Sequence, residues 1–334
     1  MTPALTSDNP QFSIQIGRPA EHLVEHCQMQ LQSIATTEAH AASVGGYIEA
    51  ALSENTRRAY RQDLDDFLRW HGGGLPCTPE VLAAYVADRA QRLSPYTISR
   101  RVVAISRAHT SQGLPDPSKA DLVRTVLRGI RKTHGVPQRQ AAPLLKHDLL
   151  ELLPSTTDVH SLRDRALILL GFAAALRRSE LVALDVQDLS IVEHGLIVHV
   201  RRSKTDQAGG GHKIAVPYGR TTACPVKAVA CWLQAGSLTE GAIFRPISKG
   251  GAVQPARLSS QSVALILRQR AAAAGLNIAN LSAHSLRAGL ATSAAQAGIA
   301  AHKIQMQTRH RSLEMLLRYI RDGNLFDDNA AGFL

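Results

Sequence analysis

The chain has 334 residues, 45% of them hydrophobic, and carries 38 Lys and Arg against 27 Asp and Glu, a net charge of +11. That length holds two domains with cores of their own, and that apolar share excludes a chain that is disordered for most of its length. The longest apolar run, ALILLGFAAAL, falls far short of the roughly 20 residues a bilayer span needs, and the start MTPALTSDNPQ lacks the order of a secretory signal. A cytoplasmic protein with no membrane partner is expected. Cys27, Cys77, Cys224 and Cys231 form no CxxC pair and stand at no metal-ligand spacing, so neither a zinc site nor a disulfide framework is indicated. The positive charge is unevenly spread: residues 89–139 hold eleven basic and two acidic side chains, residues 195–321 seventeen and three. Two basic stretches, one in each half, suit a protein that grips a polyanion from two sides.

Residues 1–18 read as a flexible polar arm. The first strong helix pattern is SENTRRAYRQDLDDFLRWH, with Asn55 as its cap signal and Tyr60, Leu64, Phe67 and Leu68 as its apolar stripe. Thr78-Pro79 and Ser94-Pro95 each place a capping hydroxyl before a proline at the first helical position, opening a second and a third helix. The third stops at Gly113, and PSKADLVRTVLRGIRK supplies a fourth with Leu122, Val126, Leu127 and Ile130 inward. Residues 19–133 are therefore expected to form a helical bundle. Residues 134–143, polar and proline-bearing, read as a linker to a second domain over 144–334. In that domain GLIVHVRRSK and HKIAVP alternate as strands around the turn TDQAGGG, a hairpin with Lys204 at its bend, and helices follow on both sides. The expected fold class is mainly α: an N-terminal helical bundle, then an α-rich domain with a small β-hairpin.

Several polar side chains stand out along this second domain. Arg177 and Glu180 in LRRSEL are spaced i, i+3, as are His284 and Arg287 in HSLR, so each pair shares a helix face. A last helix over residues 312–321 would bury Leu313, Leu316, Leu317 and Ile320, with Tyr319 on the flank of that stripe, nine residues after His310. Taken singly, each has a plainer explanation: a surface ion pair, a spectator histidine, a part-buried tyrosine.

Taken together and in order, Arg177, Lys204, His284, Arg287, His310 and Tyr319 resemble the tyrosine recombinase (phage integrase) family, and within it the Cre-like branch. The resemblance covers nearly the whole chain, since residues 97–132 also resemble that family's SAM-like core-binding domain. It implies a site-specific DNA recombinase with Tyr319 as nucleophile. Arg177 and Arg287 would cradle the phosphate, His310 would add a hydrogen bond, and His284 would accept or orient the proton. Glu180 would steady Arg177, and Lys204, with Lys213 as a weaker candidate, would protonate the leaving oxygen. A phenol ester of the phosphate stores the bond energy, so neither ATP nor any other cofactor is called for, and arginines take the part a metal plays in many nucleases. The implied partner is double-stranded DNA with an inverted-repeat site, bound by a homotetramer with a dimer on each site, on the bacterial nucleoid. An accessory protein is left open. Arg57, Arg58, Arg61, Arg100, Arg101 and Arg107 lie on outward helix faces as DNA contacts, with Arg100 and Arg101 the preferred base readers. The tail with Phe326 and Phe333 is expected to dock on a neighbouring protomer.

Two other readings compete: a type IB topoisomerase-like enzyme with the same chemistry, and a non-catalytic DNA-binding protein on the same fold. The helical N-terminal domain argues against the first and the intact residue set against the second. The sequence departs from the family pattern where Ala288 follows Arg287, and where Arg309 stands at a position usually held by glycine. An arginine resists the positive φ that glycine permits, so the approach to His310 would be shaped differently, or Arg309 would add a cation beside the phosphate.

Overall fold

Serine and threonine hydroxyls set where three of the four N-terminal helices begin. The computed structural model describes residue 47 and residues 51–135, 141–201, 210–277 and 281–323, and the chain divides into two compact units, 1–138 and 139–334. The expected arm, most of the linker, the hairpin bend with Lys204, and the tail with Phe326 and Phe333 lie outside the described residues. In the first unit, helix α1 (Glu54–His71) is capped by Ser53, whose Oγ accepts the Thr56 N–H at 3.3 Å. Asn55 is not the cap; its side chain takes Arg58 Nη2 at 2.6 Å instead. Helices α2 (Pro79–Ala90) and α3 (Pro95–Ser111) open as expected, on Thr78-Pro79 and Ser94-Pro95. Helix α4 (Asp121–His134) turns Val123 and Ile130 fully inward, with Val126 and Leu127 packed against the core. Leu122 is 45% exposed, contrary to expectation. Positions 123, 126, 127 and 130 keep the i, i+3, i+4, i+7 spacing that one helix face requires, and 122 is one residue out of phase. The four helices close over Phe67, Leu82, Tyr85, Val86, Ile98 and Ile105.

In the second unit the run ALILLGFAAAL becomes most of helix α6 (Val159–Ala173), preceded by the short α5 (Lys146–Glu151). Ala166 to Leu170 are all buried, as expected of a helix apolar on every side, which must sit inside a core. Around it pack α8 (Pro225–Ala235), α9 (Ser260–Ala273) and α10 (His284–Gln296), with the short α7 (Arg178–Ala183) following α6. The hairpin strands are β2 (Gly195–Val200) and β3 (His212–Pro217), and a third strand, β1 (Leu189–Val192), pairs with β2 to make an antiparallel sheet ordered β1-β2-β3. The sheet buries Leu196, Val198, Val200, Ile214 and Val216 against the helices, the alternation a half-buried strand requires. Helices α11 (Ala301–Thr308) and α12 (Leu313–Gly323) complete the described residues. Among the described side chains of α12 only Leu316 is fully buried, packed with Ala291, Ala295 and Ile304. Leu313 and Leu317 are 45% and 39% exposed, so the leucine stripe expected to be buried is partly open.

Candidate active site

The site is assembled around a sharp turn at the end of α6. Ala175 adopts a left-handed backbone (φ 46°), which turns its carbonyl inward. That oxygen accepts Arg287 Nη1 at 2.9 Å and Arg309 Nη2 at 3.3 Å. Two residues on, Arg177 sits at the N-cap of α7 with extended backbone, and Glu180 at the third helical position reaches back to it. The Glu180 carboxylate accepts the Arg177 backbone N–H at 2.9 Å and its Nη1 at 2.6 Å. The pair therefore does not share a helix face, as the spacing suggested; the carboxylate satisfies an orphan amide at the helix start and orients the guanidinium in the same contact. Arg309 Nη2 reaches the other side of the same carboxylate at 2.9 Å. Glu180 is 2% exposed, which alone would raise its pKa, yet the Arg309 charge and the bonds from Arg177 outweigh burial and hold it below the usual carboxylate range.

Helix α10 begins at His284 and buries Arg287 to 2% exposure. Its position is fixed by close backbone contact: Leu144 donates its N–H to Ser285 O at 3.0 Å, and a Cβ built on Gly289 would lie 1.8 Å from Leu144 O. Burial, then Arg177 and Arg309, push Arg287 down to about 9, still charged at neutral pH. His284 Nε2 lies 3.0 Å from Tyr319 Oη. His284 shows an exposed edge, but desolvation of its inner side and then the charges of Arg287 and Arg177 hold it below the ordinary histidine range.

His310 is 8% exposed, its ring 5.6 Å from that of Tyr319 and tilted 30° to it. Burial, followed by Arg287, His284, Arg177 and Arg309, pushes it down to about 4. Its Nδ1 meets Thr308 Oγ1 at 2.7 Å, and the same hydroxyl lies 2.7 Å from Ile304 O. One hydroxyl hydrogen thus has two acceptors within reach, and the imidazole tautomer depends on which one takes it.

Six of the residues singled out in the sequence, Arg177, Glu180, His284, Arg287, His310 and Tyr319, therefore converge on one site, while Lys204 lies outside the described residues. Lys213 is exposed on β3. Sequence reasoning missed the Ala175 carbonyl and the Thr308 hydroxyl. A non-glycine residue in a left-handed turn leaves no mark in the sequence, whereas a hydroxyl two positions before a histidine leaves a faint one. Arg309 adopts the positive φ (55°) that its side chain was expected to resist.

The arginines of the first unit behave unequally. Arg58, Arg61, Arg100 and Arg107 are exposed, with Arg107 lying over the Tyr60 ring. Arg100 is forked onto the buried Asp63, Nε to Oδ2 at 2.8 Å and Nη2 to Oδ1 at 3.0 Å, and half its side chain stays open. Arg101 is not outward: its side chain is 14% exposed and Nη1 binds Asp66 and the Tyr85 hydroxyl, the latter at 2.7 Å. Asp66, buried enough to raise its pKa, is held below the usual range by bonds from Tyr85 and Arg89 and by the Arg101 charge. An acid facing α3 from α1 draws the adjacent arginine inward, which the helical pattern of α3 alone does not reveal.

Residues 143–324 match the model of the phage integrase family, and residues 47–110 match that of the phage integrase N-terminal SAM-like domain. Among curated proteins the chain is 42% identical over 294 residues to an integrase/recombinase of Selenomonas ruminantium named as a XerD homologue, covering 85% of this chain and 86% of that one. It is 25% identical over 268 residues to the recombinase Cre of Escherichia phage P1, covering 74% and 77%. Among solved structures it resembles the XerH site-specific recombinase bound to a palindromic difH substrate in a post-cleavage complex, with a TM-score of 0.61 at 15% identity over 93% of each chain. A lambda integrase tetramer bound to a Holliday junction gives 0.54 at 16% identity, covering 92% of this chain and 79% of that one.

Proposed function

The chain belongs to the phage integrase family of tyrosine recombinases, and from that premise we propose that it cuts and rejoins DNA at specific sites with Tyr319 as its nucleophile. The observation that carries the assignment to Tyr319 is the 3.0 Å contact between its hydroxyl and His284 Nε2 beside two buried or half-buried guanidiniums. A phenol with a pKa near 10 must shed its proton as it attacks, and a neutral imidazole at hydrogen-bond distance is the group to take it. In the step, Tyr319 Oη forms a bond to phosphorus, its proton passes to His284, and the bond from phosphorus to the 5′-oxygen breaks. That oxygen then takes a proton, for which Lys204 is the proposed donor. The products are a 3′-phosphotyrosyl link and a free 5′-hydroxyl; no water is consumed, so the reverse attack reseals a strand.

Arg177 and Arg287 are proposed to hold the two non-bridging oxygens, charge that builds as the phosphorus becomes five-coordinate. His310 adds a hydrogen bond from Nε2. For that, the Thr308 hydroxyl gives its hydrogen to Nδ1 in place of Ile304 O, and an anion beside Nε2 favours this tautomer. Arg57, Arg58, Arg61, Arg100 and Arg107 are proposed to face DNA in the first unit, while Arg101, turned in onto Asp66, is left out of that set. Arg100, forked onto Asp63, is the preferred base reader, because a guanidinium already fixed in one orientation loses little freedom on binding. A lambda integrase tetramer on a Holliday junction and a recombinase on a palindromic substrate support an assembly of four protomers on two inverted-repeat sites; a dimer on each site, with the tail of one protomer docked on the next, is proposed with it. A cytoplasmic protein acting on the nucleoid is proposed accordingly.

The test is a nicked suicide duplex carrying a verified target site, from which a released fragment prevents resealing. The protein is expected to form an SDS-resistant adduct with this DNA. Tyr319→Phe is expected to abolish the adduct while leaving DNA affinity within about twofold, because only the attacking oxygen is lost. An adduct that survives in Tyr319→Phe would assign the nucleophile elsewhere.

A further inference from the structure

We propose that Arg309 is a positioning residue for strand cleavage: by sharing the Glu180 carboxylate with Arg177, it leaves the Arg177 charge available to the scissile phosphate. This rests on the cleavage chemistry proposed above.

Arg309 occupies its place at a local cost. Its backbone lies in the left-handed region, where glycine is at ease and a side chain is not. Its side chain is 9% exposed, and Nε and Nη1 are buried with no hydrogen-bond partner among the described residues. What offsets this is the bond from Nη2 to Glu180 at 2.9 Å, with the longer one to the Ala175 carbonyl at 3.3 Å. Both acceptors are also used by the phosphate-holding arginines: Glu180 by Arg177, the Ala175 carbonyl by Arg287.

The electrostatic consequence follows from counting charges. A buried carboxylate bonded to Arg177 alone would orient that guanidinium and also cancel most of its field at the phosphate. With Arg309 on the other oxygen, Arg177, Arg287 and Arg309 face a single carboxylate, a net +2. A phosphodiester brings one negative charge into the site, and the five-coordinate state reached on losing the phenol proton carries two. A +2 cluster therefore favours the transition state over the bound substrate, which is what raises a chemical rate. With glycine at 309 the same cluster would hold +1.

The inference is tested by single-turnover adduct formation at saturating DNA on the suicide duplex. Arg309→Gly removes the cation and supplies the residue best suited to the left-handed backbone, so folding is preserved; an unchanged melting temperature checks this. The adduct is expected to form roughly tenfold to a hundredfold more slowly, less than the loss of a donor in direct contact, with Arg309→Lys closer to the native rate. Glu180→Gln keeps one acceptor oxygen and removes the charge. In the Arg309→Gly background it is expected to recover part of the lost rate, by restoring +2, whereas in the native background, where charge is not short and both Arg177 and Arg309 lose the carboxylate that orients them, it slows the reaction. Such a reversal of sign does not arise from a residue that only supports the fold. A native rate in Arg309→Gly, or a further loss on adding Glu180→Gln to it, would overturn the inference. If the native protein forms no Tyr319-dependent adduct, the recombinase assignment falls and this inference with it; a normal native adduct with an indifferent Arg309→Gly removes the inference alone.

Discussion

In the proposed step His284 has to be neutral to accept the Tyr319 proton, and its surroundings favour that form. Because desolvation and the nearby Arg287 and Arg177 charges depress its pKa, it stays unprotonated down to pH values below the ordinary histidine value of about 6.5. The rate of adduct formation at sub-saturating DNA, which reports groups of the free protein, is therefore expected to be flat from pH 8 down to about 6.5 and to fall only below it. An acid limb centred at or above 6.5 would contradict His284 as the acceptor. Arg309 shows how a residue's intrinsic preference can be overruled. The arginine was expected either to reshape the turn before His310 or to add a cation; it takes the glycine-like conformation and adds the cation, since a buried carboxylate repays the backbone cost. Arg101 is the opposite case: periodicity placed it outward, and Asp66 holds it in.

At the scale of elements, the site depends on where helices start and how closely they approach. His284 opens α10 and Arg177 caps α7, so both project from helix beginnings, where backbone N–H groups favour an anion. Helix α10 is seated by Gly289, where any Cβ would overlap the Leu144 carbonyl. Gly289→Ala is therefore expected to force that segment away and to destabilise the second unit by about 1–3 kcal/mol, lowering its melting temperature by several degrees. Adduct formation should slow as well, because His284 and Arg287 ride on the displaced helix. Calorimetry and the suicide-duplex assay check the two outcomes, and a fully stable Gly289→Ala protein would refute the seating role. The hairpin was legible from its alternation, but β1 was not: LSIV is too short to show a period, and it becomes a strand because β2 offers it a free edge.

For the molecule as a whole, charge predicts how it holds DNA. With a basic stretch of sequence in each half of the chain, affinity for duplex is expected to fall by a thousandfold or more between about 50 and 200 mM salt, the behaviour of proteins that neutralise roughly six to ten phosphates. Arg61, exposed on α1, is expected to contribute one such contact: Arg61→Ala should weaken binding similarly on all sequences and lower the salt slope by about one, measured by anisotropy titrations. A salt-independent affinity would argue against the two-sided grip. The sequence by itself determined the helical class, the capped starts of α2 and α3 and the order of the candidate site residues. Each of these is a local signal, carried by hydroxyl-proline pairs, apolar periodicity or short motifs. Only the tertiary structure decided that Glu180 serves two arginines, that Ala175 presents its carbonyl to two guanidiniums, and that Arg309 joins the cluster it was thought to disturb. Those contacts join residues more than a hundred positions apart, and their free energy depends on burial, which no local pattern encodes.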